Sequence, residues 1–176
     1  MRTQIMLTLT GPDRVGIVED VTKALLSVEA NVETSRMARL GGEFATLMLL
    51  AVPSEKVGDL DAALSPLVAE GYKLTATATA HAPEAHAGWL SYTIEVSGAD
   101  HEGIVHEVAH GLSQRGITIE SADTSVSSAA VTGTALFAMT AEVLVPPALT
   151  DTDWITDVIE AGEVANVDVA VTAHGA

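Results

Sequence analysis

The chain has 176 residues, enough for one ordinary domain or for two very small ones with buried cores. Apolar residues make up 48% and charged residues 18%, which describes a globular chain, and the lack of cysteine excludes disulfides, CxxC redox chemistry and thiolate metal sites. A formal charge of −16 opposes a phosphate backbone, because nucleic-acid affinity comes largely from Lys and Arg displacing counterions.

The first segment, Met1 to Thr10, alternates, with Ile5, Leu7 and Leu9 on one side, and predicts a strand with one buried face. It lacks the continuous apolar stretch of a signal peptide, and the longest apolar run, Leu47 to Val52, is far short of the ~20 residues that span a bilayer. A cytoplasmic location away from membranes is therefore expected. Gly11-Pro-Asp-Arg-Val-Gly-Ile17 follows, and then a helical period through Ile17, Val21, Leu25 and Val28. Asp13 stands where its carboxylate can accept the free N–H groups of the first helical turn. Two strands are predicted next, Asn31–Leu40 and Glu43–Val52, joined by Gly41-Gly42 in a tight hairpin. A helix through Val57, Leu60, Leu64 and Leu67, with Ser54 as N-cap, leads to an alternating segment, Leu74 to Ala80. Its threonines, Thr75, Thr77 and Thr79, suit packing and sheet pairing.

His81 to Gly88 carries the Pro, Gly and polar signals of a linker, so the expected domains are 1–80 and 89–176. Beyond it the pattern recurs. Leu90, Tyr92, Ile94 and Val96 alternate; Gly98-Ala-Asp-His-Glu-Gly-Ile104 repeats the first turn at an offset of 87; Ile104, Val108 and Leu112 continue it as a helix. Asp100 is the second candidate cap. Strands are expected over Ile117–Ser127 and Thr134–Val145, with a tip around Ser128–Gly133 made longer by six residues. A helix with Trp154, Ile155, Val158 and Ile159 follows, with Thr150 and Asp153 at capping-box spacing, and Val167 to Thr172 closes the copy. The fold class is α+β, two ferredoxin-like βαββαβ domains in tandem, each a four-stranded sheet with both helices on one face. The copies differ in charge, −4 for residues 1–87 and −12 for residues 88–176, where Arg115 is the only Lys or Arg.

With this topology and two copies of the G-x-D-x-x-G-I turn, the sequence resembles tandem ACT-domain proteins, specifically stand-alone regulators of the glycine cleavage system repressor type. The resemblance implies a regulator without catalytic residues that binds an amino acid, glycine or another small one, and acts on a protein partner such as a transcription factor. A homodimer is expected, because each sheet has edges to cover. In the family the ligand lies between this turn of one domain and the start of the second strand of a neighbour. Carried onto this sequence, the ligand-binding candidates are Gly11, Asp13, Gly16, Ile17 and Asn31, with Gly98, Asp100, Gly103 and Ile104 in the second copy. Thr118 aligns with Asn31, so the first turn is the better equipped. Glu29 departs from the family's usual glycine, which Gly116 keeps.

A turn glycine lets a ligand approach the backbone, and a helix N-terminus offers N–H groups to a carboxylate. The competing reading is structural, with Asp13 and Asp100 as caps and the glycines as packing positions. An interaction module without ligand is the alternative function. No cofactor or metal is expected: His106 and His110 read as a solvated helix face, and Asp151, Asp153 and Asp157 as an acidic helix start and exposed face. An enzyme lacks support in spacing, and an RNA-binding sheet fails on charge and on its missing aromatic pair.

Overall fold

Alternation in the first segment becomes strand β1 (Arg2–Pro12) in a computed structural model of the chain that describes residues 1–79, 86–130, 133–150 and 152–174. Helix α1 (Ile17–Ser27), hairpin strands β2 (Asn31–Leu40) and β3 (Glu43–Pro53), helix α2 (Leu60–Ala69) and strand β4 (Lys73–Ala78) complete the first copy. The second contains β5 (Leu90–Ala99), α3 (Ile104–Ser113), β6 (Thr118–Ser128), β7 (Ala135–Val145), α4 (Trp154–Val164) and β8 (Val167–Ala173). Both sheets are antiparallel, ordered β2-β3-β1-β4 and β6-β7-β5-β8, the split βαβ arrangement. The chain divides into two compact units, Met1–Ala82 and Pro83–Ala176.

Each unit has its own core. In the first, Ile5, Leu7 and Leu9 of β1 and Met48, Leu50 and Val52 of β3 pack under Val21, Leu25, Leu60, Leu64 and Leu67, so both helices cover one face. Ile94 and Val96, with Met139, Ala141 and Val143, lie under Ile104, Val108, Leu112, Trp154 and Val158 in the second. Trp154 meets Tyr92 edge to face, ring centroids 4.9 Å apart. Leu90 and Ile155, expected on buried faces, are exposed. Alternation alone does not mark where a strand or helix outruns the cover of its neighbours.

Gly41 and Gly42 close the first hairpin with φ of 59° and 89°. In the second hairpin, Ala129 donates to the Thr134 carbonyl and Gly133 to the Ala129 carbonyl; residues 131 and 132 of the expected tip lie outside the described residues. So do His81 and Asp151. Gly11 pairs with Phe44 and Gly98 with Phe137, so the added hairpin length leaves the sheet register intact. Each hairpin carries a bulge, at Val32/Thr34 and Ile119/Ser121.

None of the expected side-chain caps forms. Ser54 opens a short 3-10 helix, Ser54–Asp59, and its hydroxyl meets that of Thr3 at 3.0 Å. Helix α4 has Asp153 at its N-cap without a side-chain hydrogen bond there, so Thr150 and Asp153 make no capping box. Glu29 and Gly116 stand at equivalent helix ends with φ of 56° and 68°, so glutamate adopts the left-handed backbone that suits glycine.

Candidate functional site

The turn between β1 and α1 is shaped by two glycines with different tasks. Gly16 is the helix N-cap with φ 90°, and Gly103 repeats it with φ 98°. No side chain caps either helix. Asp13 and Asp100 therefore do not play the capping role expected of them, because a glycine in left-handed geometry already turns the chain into the helix. The Ile17 N–H donates to the Arg14 carbonyl at 3.4 Å, which leaves the Val18 and Glu19 N–H groups of the first turn of α1 to meet an anion.

Gly11 was expected to let a ligand approach. Instead, a Cβ there would stand 2.5 Å from Cδ1 of Tyr72, whose ring fills that space and whose hydroxyl donates to the Pro12 carbonyl at 2.7 Å. At Gly98 a Cβ would meet Val167 Cγ1 at 2.8 Å. Both are packing positions, made by a residue on the last strand or just before it. Ile17 and Ile104 are buried at the base of their turns.

Asp13 faces β2. Its Oδ2 pairs with Arg39 Nε at 2.6 Å, and the Arg39 side chain is 72% exposed. Together with Gly16, Ile17, Val18, Met37 and Phe44 this pair lines a cavity of about 350 Å³ beside the N-terminus of α1. Arg39 lies opposite Phe44 in the hairpin, which in turn lies opposite Gly11, so the sheet register delivers it to the turn. Walking the register outward from Gly41-Gly42 would have found Arg39; no local motif marks it.

Asn31 is elsewhere. It pairs with Ala51, which faces Gln4, so Asn31 lies at the other end of the sheet from Gly11. The turn and Asn31 of one unit do not meet.

Arg14 and His101 occupy equivalent places in the two turns. Arg14 bridges Asp20 and Glu70, both at 2.7 Å, and these hydrogen bonds, Asp20 first, hold its pKa above the usual value. In the second copy the His101 ring lies between the carbonyls of Glu102, 3.0 Å from Nδ1, and Ala165, 2.8 Å from Nε2. Those two carbonyls, Glu102 first, raise its pKa. Arg14 and His101 each tie their turn to the end of the second helix. His106 and His110 are exposed and stacked, centroids 6.1 Å apart, and no cluster of three metal-ligating side chains occurs among the described residues.

An ACT-domain family model matches residues 3–75, which include β1, the turn, α1, the hairpin and α2. The first unit of the chain is an ACT domain by that match. Over 47 residues this ACT-domain protein is 45% identical to the glycine cleavage system transcriptional repressor of Escherichia coli strain K12, and equally to that of Shigella flexneri. Those stretches cover 27% of this chain and 25% of each relative, so the match spans a quarter of the curated relatives' length. The crystal structure of an unknown protein from Galdieria sulphuraria is 30% identical, covers 99% of this chain and 100% of its own, and superposes with a TM-score of 0.82. A structure provisionally assigned as a glycine cleavage system transcriptional repressor superposes over 100% of this chain and 99% of its own, with a TM-score of 0.72 at 18% identity, a likeness of fold. The chain thus carries an ACT domain in its first unit and the same ferredoxin-like topology in its second, and is similar to the glycine cleavage system repressors.

Proposed function

We propose that this ACT-domain protein is a non-enzymatic regulator that binds an amino acid at its first turn and passes that occupancy to a protein partner, a transcription factor being the partner the resemblance favours. The observation that carries the reading is the cavity beside α1, where an uncapped helix N-terminus adjoins a carboxylate and a guanidinium. An α-amino acid carries the complementary charges. Ligand that fits one mutual arrangement of modules better than another shifts their equilibrium by its difference in affinity, and the partner reads that shift.

The candidate residues then divide by place. Asp13, Gly16 and Ile17 form the ligand-facing turn, with Gly11 supporting it through Tyr72. Asn31, at the far end of the sheet, completes a site only when another module brings its own copy of that position. Such an arrangement requires assembly, and a homodimer in the cytoplasm is the state we expect. Gly98, Asp100, Gly103 and Ile104 repeat the turn in the second copy.

A titration of the folded protein with the standard amino acids, followed by thermal shift and calorimetry, tests the reading. At least one should bind with a saturable shift; none binding at millimolar ligand would overturn it. A second reading, an interaction module without ligand, draws on the exposure of β2 and β6 along almost their whole length. It predicts that replacing Asp13 and Asn31 leaves partner binding intact, whereas a sensor loses its response to amino acids.

A further inference from the structure

Among the described residues, a pair between the turn carboxylate and a β2 or β6 cation occurs in the first copy alone, as Asp13 with Arg39. Arg39 lies opposite Phe44, and the residue opposite Phe137 at the same place is Val126; Met37 lies opposite Thr46, and its counterpart opposite Met139 is Thr124. The carboxylates are retained, as Asp13 and Asp100, but the cation and the larger apolar side chain are confined to the first copy.

The pair leaves recognition atoms free. Asp13 uses Oδ2 and Arg39 uses Nε; Oδ1 of Asp13 and the two Nη groups of Arg39 have no hydrogen-bond or ion-pair partner among the described residues. A guanidinium edge presents two parallel N–H donors that match a carboxylate, and a carboxylate oxygen accepts from an ammonium. An α-amino acid can therefore dock without breaking the existing ion pair.

The walls set the side chain. Val18 is 40% and Met37 42% exposed, large apolar surfaces beside the buried Phe44 and Ile17. Glycine would satisfy the charges and leave this surface in water. A volume of about 350 Å³ is at the small end of ligand sites, sufficient for one amino acid.

We propose that the first-copy cavity selects an α-amino acid with an apolar side chain of about leucine or methionine size, its carboxylate on the Nη edge of Arg39 and its ammonium on Oδ1 of Asp13, and that Val126 denies the second copy this recognition. The inference rests on the amino-acid reading above and replaces its expectation of glycine.

Calorimetric titration of the full chain with glycine, alanine, leucine, methionine and phenylalanine, and with leucinol, which lacks the carboxylate, tests it. Leucine or methionine should bind roughly tenfold or more tightly than glycine, from the added apolar contact. Arg39→Val, the second copy's residue, should weaken leucine by roughly tenfold while leaving leucinol nearly unchanged, as loss of a charge-assisted pair requires. Arg39→Gln serves if the valine variant does not give the wild-type unfolding transition. Glycine binding as tightly as leucine would overturn the ligand class and leave the sensor reading standing. Unaltered leucine affinity in the Arg39 variant would overturn its recognition role. If no amino acid binds the folded chain, the sensor reading fails as well.

Discussion

Tyr72 stands where a side chain on residue 11 would have to go. The ring and the glycine are 61 positions apart in sequence and in contact across the end of the sheet, and the phenol oxygen ties Tyr72 to Pro12. Replacing Gly11 with Ala should cost about 1–3 kcal/mol, as overpacking does in a filled interior. Urea unfolding with tryptophan-independent detection, such as far-UV circular dichroism, measures it. A stability equal to wild type would show that the ring moves aside freely.

Glu29 and Gly116 form a natural pair of alternatives at one backbone conformation. Gly116→Ala should destabilise the second unit by about 1 kcal/mol, the cost of a Cβ in left-handed geometry. Glu29→Gly should raise the unfolding midpoint of the first. The ion pair it removes, to Lys56, is exposed on the glutamate side and contributes little. A lowered midpoint in the Glu29 variant would show that the ion pair outweighs the backbone.

How these features were legible differs with distance along the chain. The β-α-β-β-α-β order, the hairpin at Gly41-Gly42 and the unusual backbone at Glu29 follow from short-range periodicity, from paired glycines and from comparison of the copies. A carboxylate just before a helix suggests a cap, and Asp13 does not form one because Gly16 holds the N-cap position. Arg39 and Tyr72 escaped for another reason. Their partners at the turn lie 26 and 61 residues upstream, and only the strand pairing brings them together. Within the candidate site, the turn was visible and its opposing wall was not.

His101 predicts a pH dependence confined to the second unit. Both ring nitrogens face carbonyl oxygens, and only the imidazolium can donate to both. Its folded pKa lies above the ordinary 6.5, so the stabilisation is complete below that value and is lost as pH rises through the folded pKa. Thermal unfolding of the wild type against His101→Gln, from slightly acid to alkaline pH, should show the difference between them shrinking with rising pH. A constant difference would remove the titration from the account.

Strands β2 and β6 leave long edges uncovered in each unit, 10 and 11 residues. Unpaired edges of this length favour association with another strand. Light scattering at micromolar concentration should therefore report about twice the chain mass of 18.2 kDa. A monomer mass with and without bound amino acid would mean that the edges are tolerated in water and that no second chain meets the Asn31 end.

The preserved pairing of Gly11 with Phe44 and of Gly98 with Phe137 gives the molecule a built-in reference. Because the hairpin tip absorbed the whole difference in length, nearly every position around the first turn has a sibling on a comparable backbone, at identical concentration and in the same solution. A probe placed at Ala38 and its twin placed at Ser125 would report together, one beside the charged pair and the other on the same geometry without it. The ratio of the two signals would cancel temperature, salt and instrument, and isolate what one guanidinium adds.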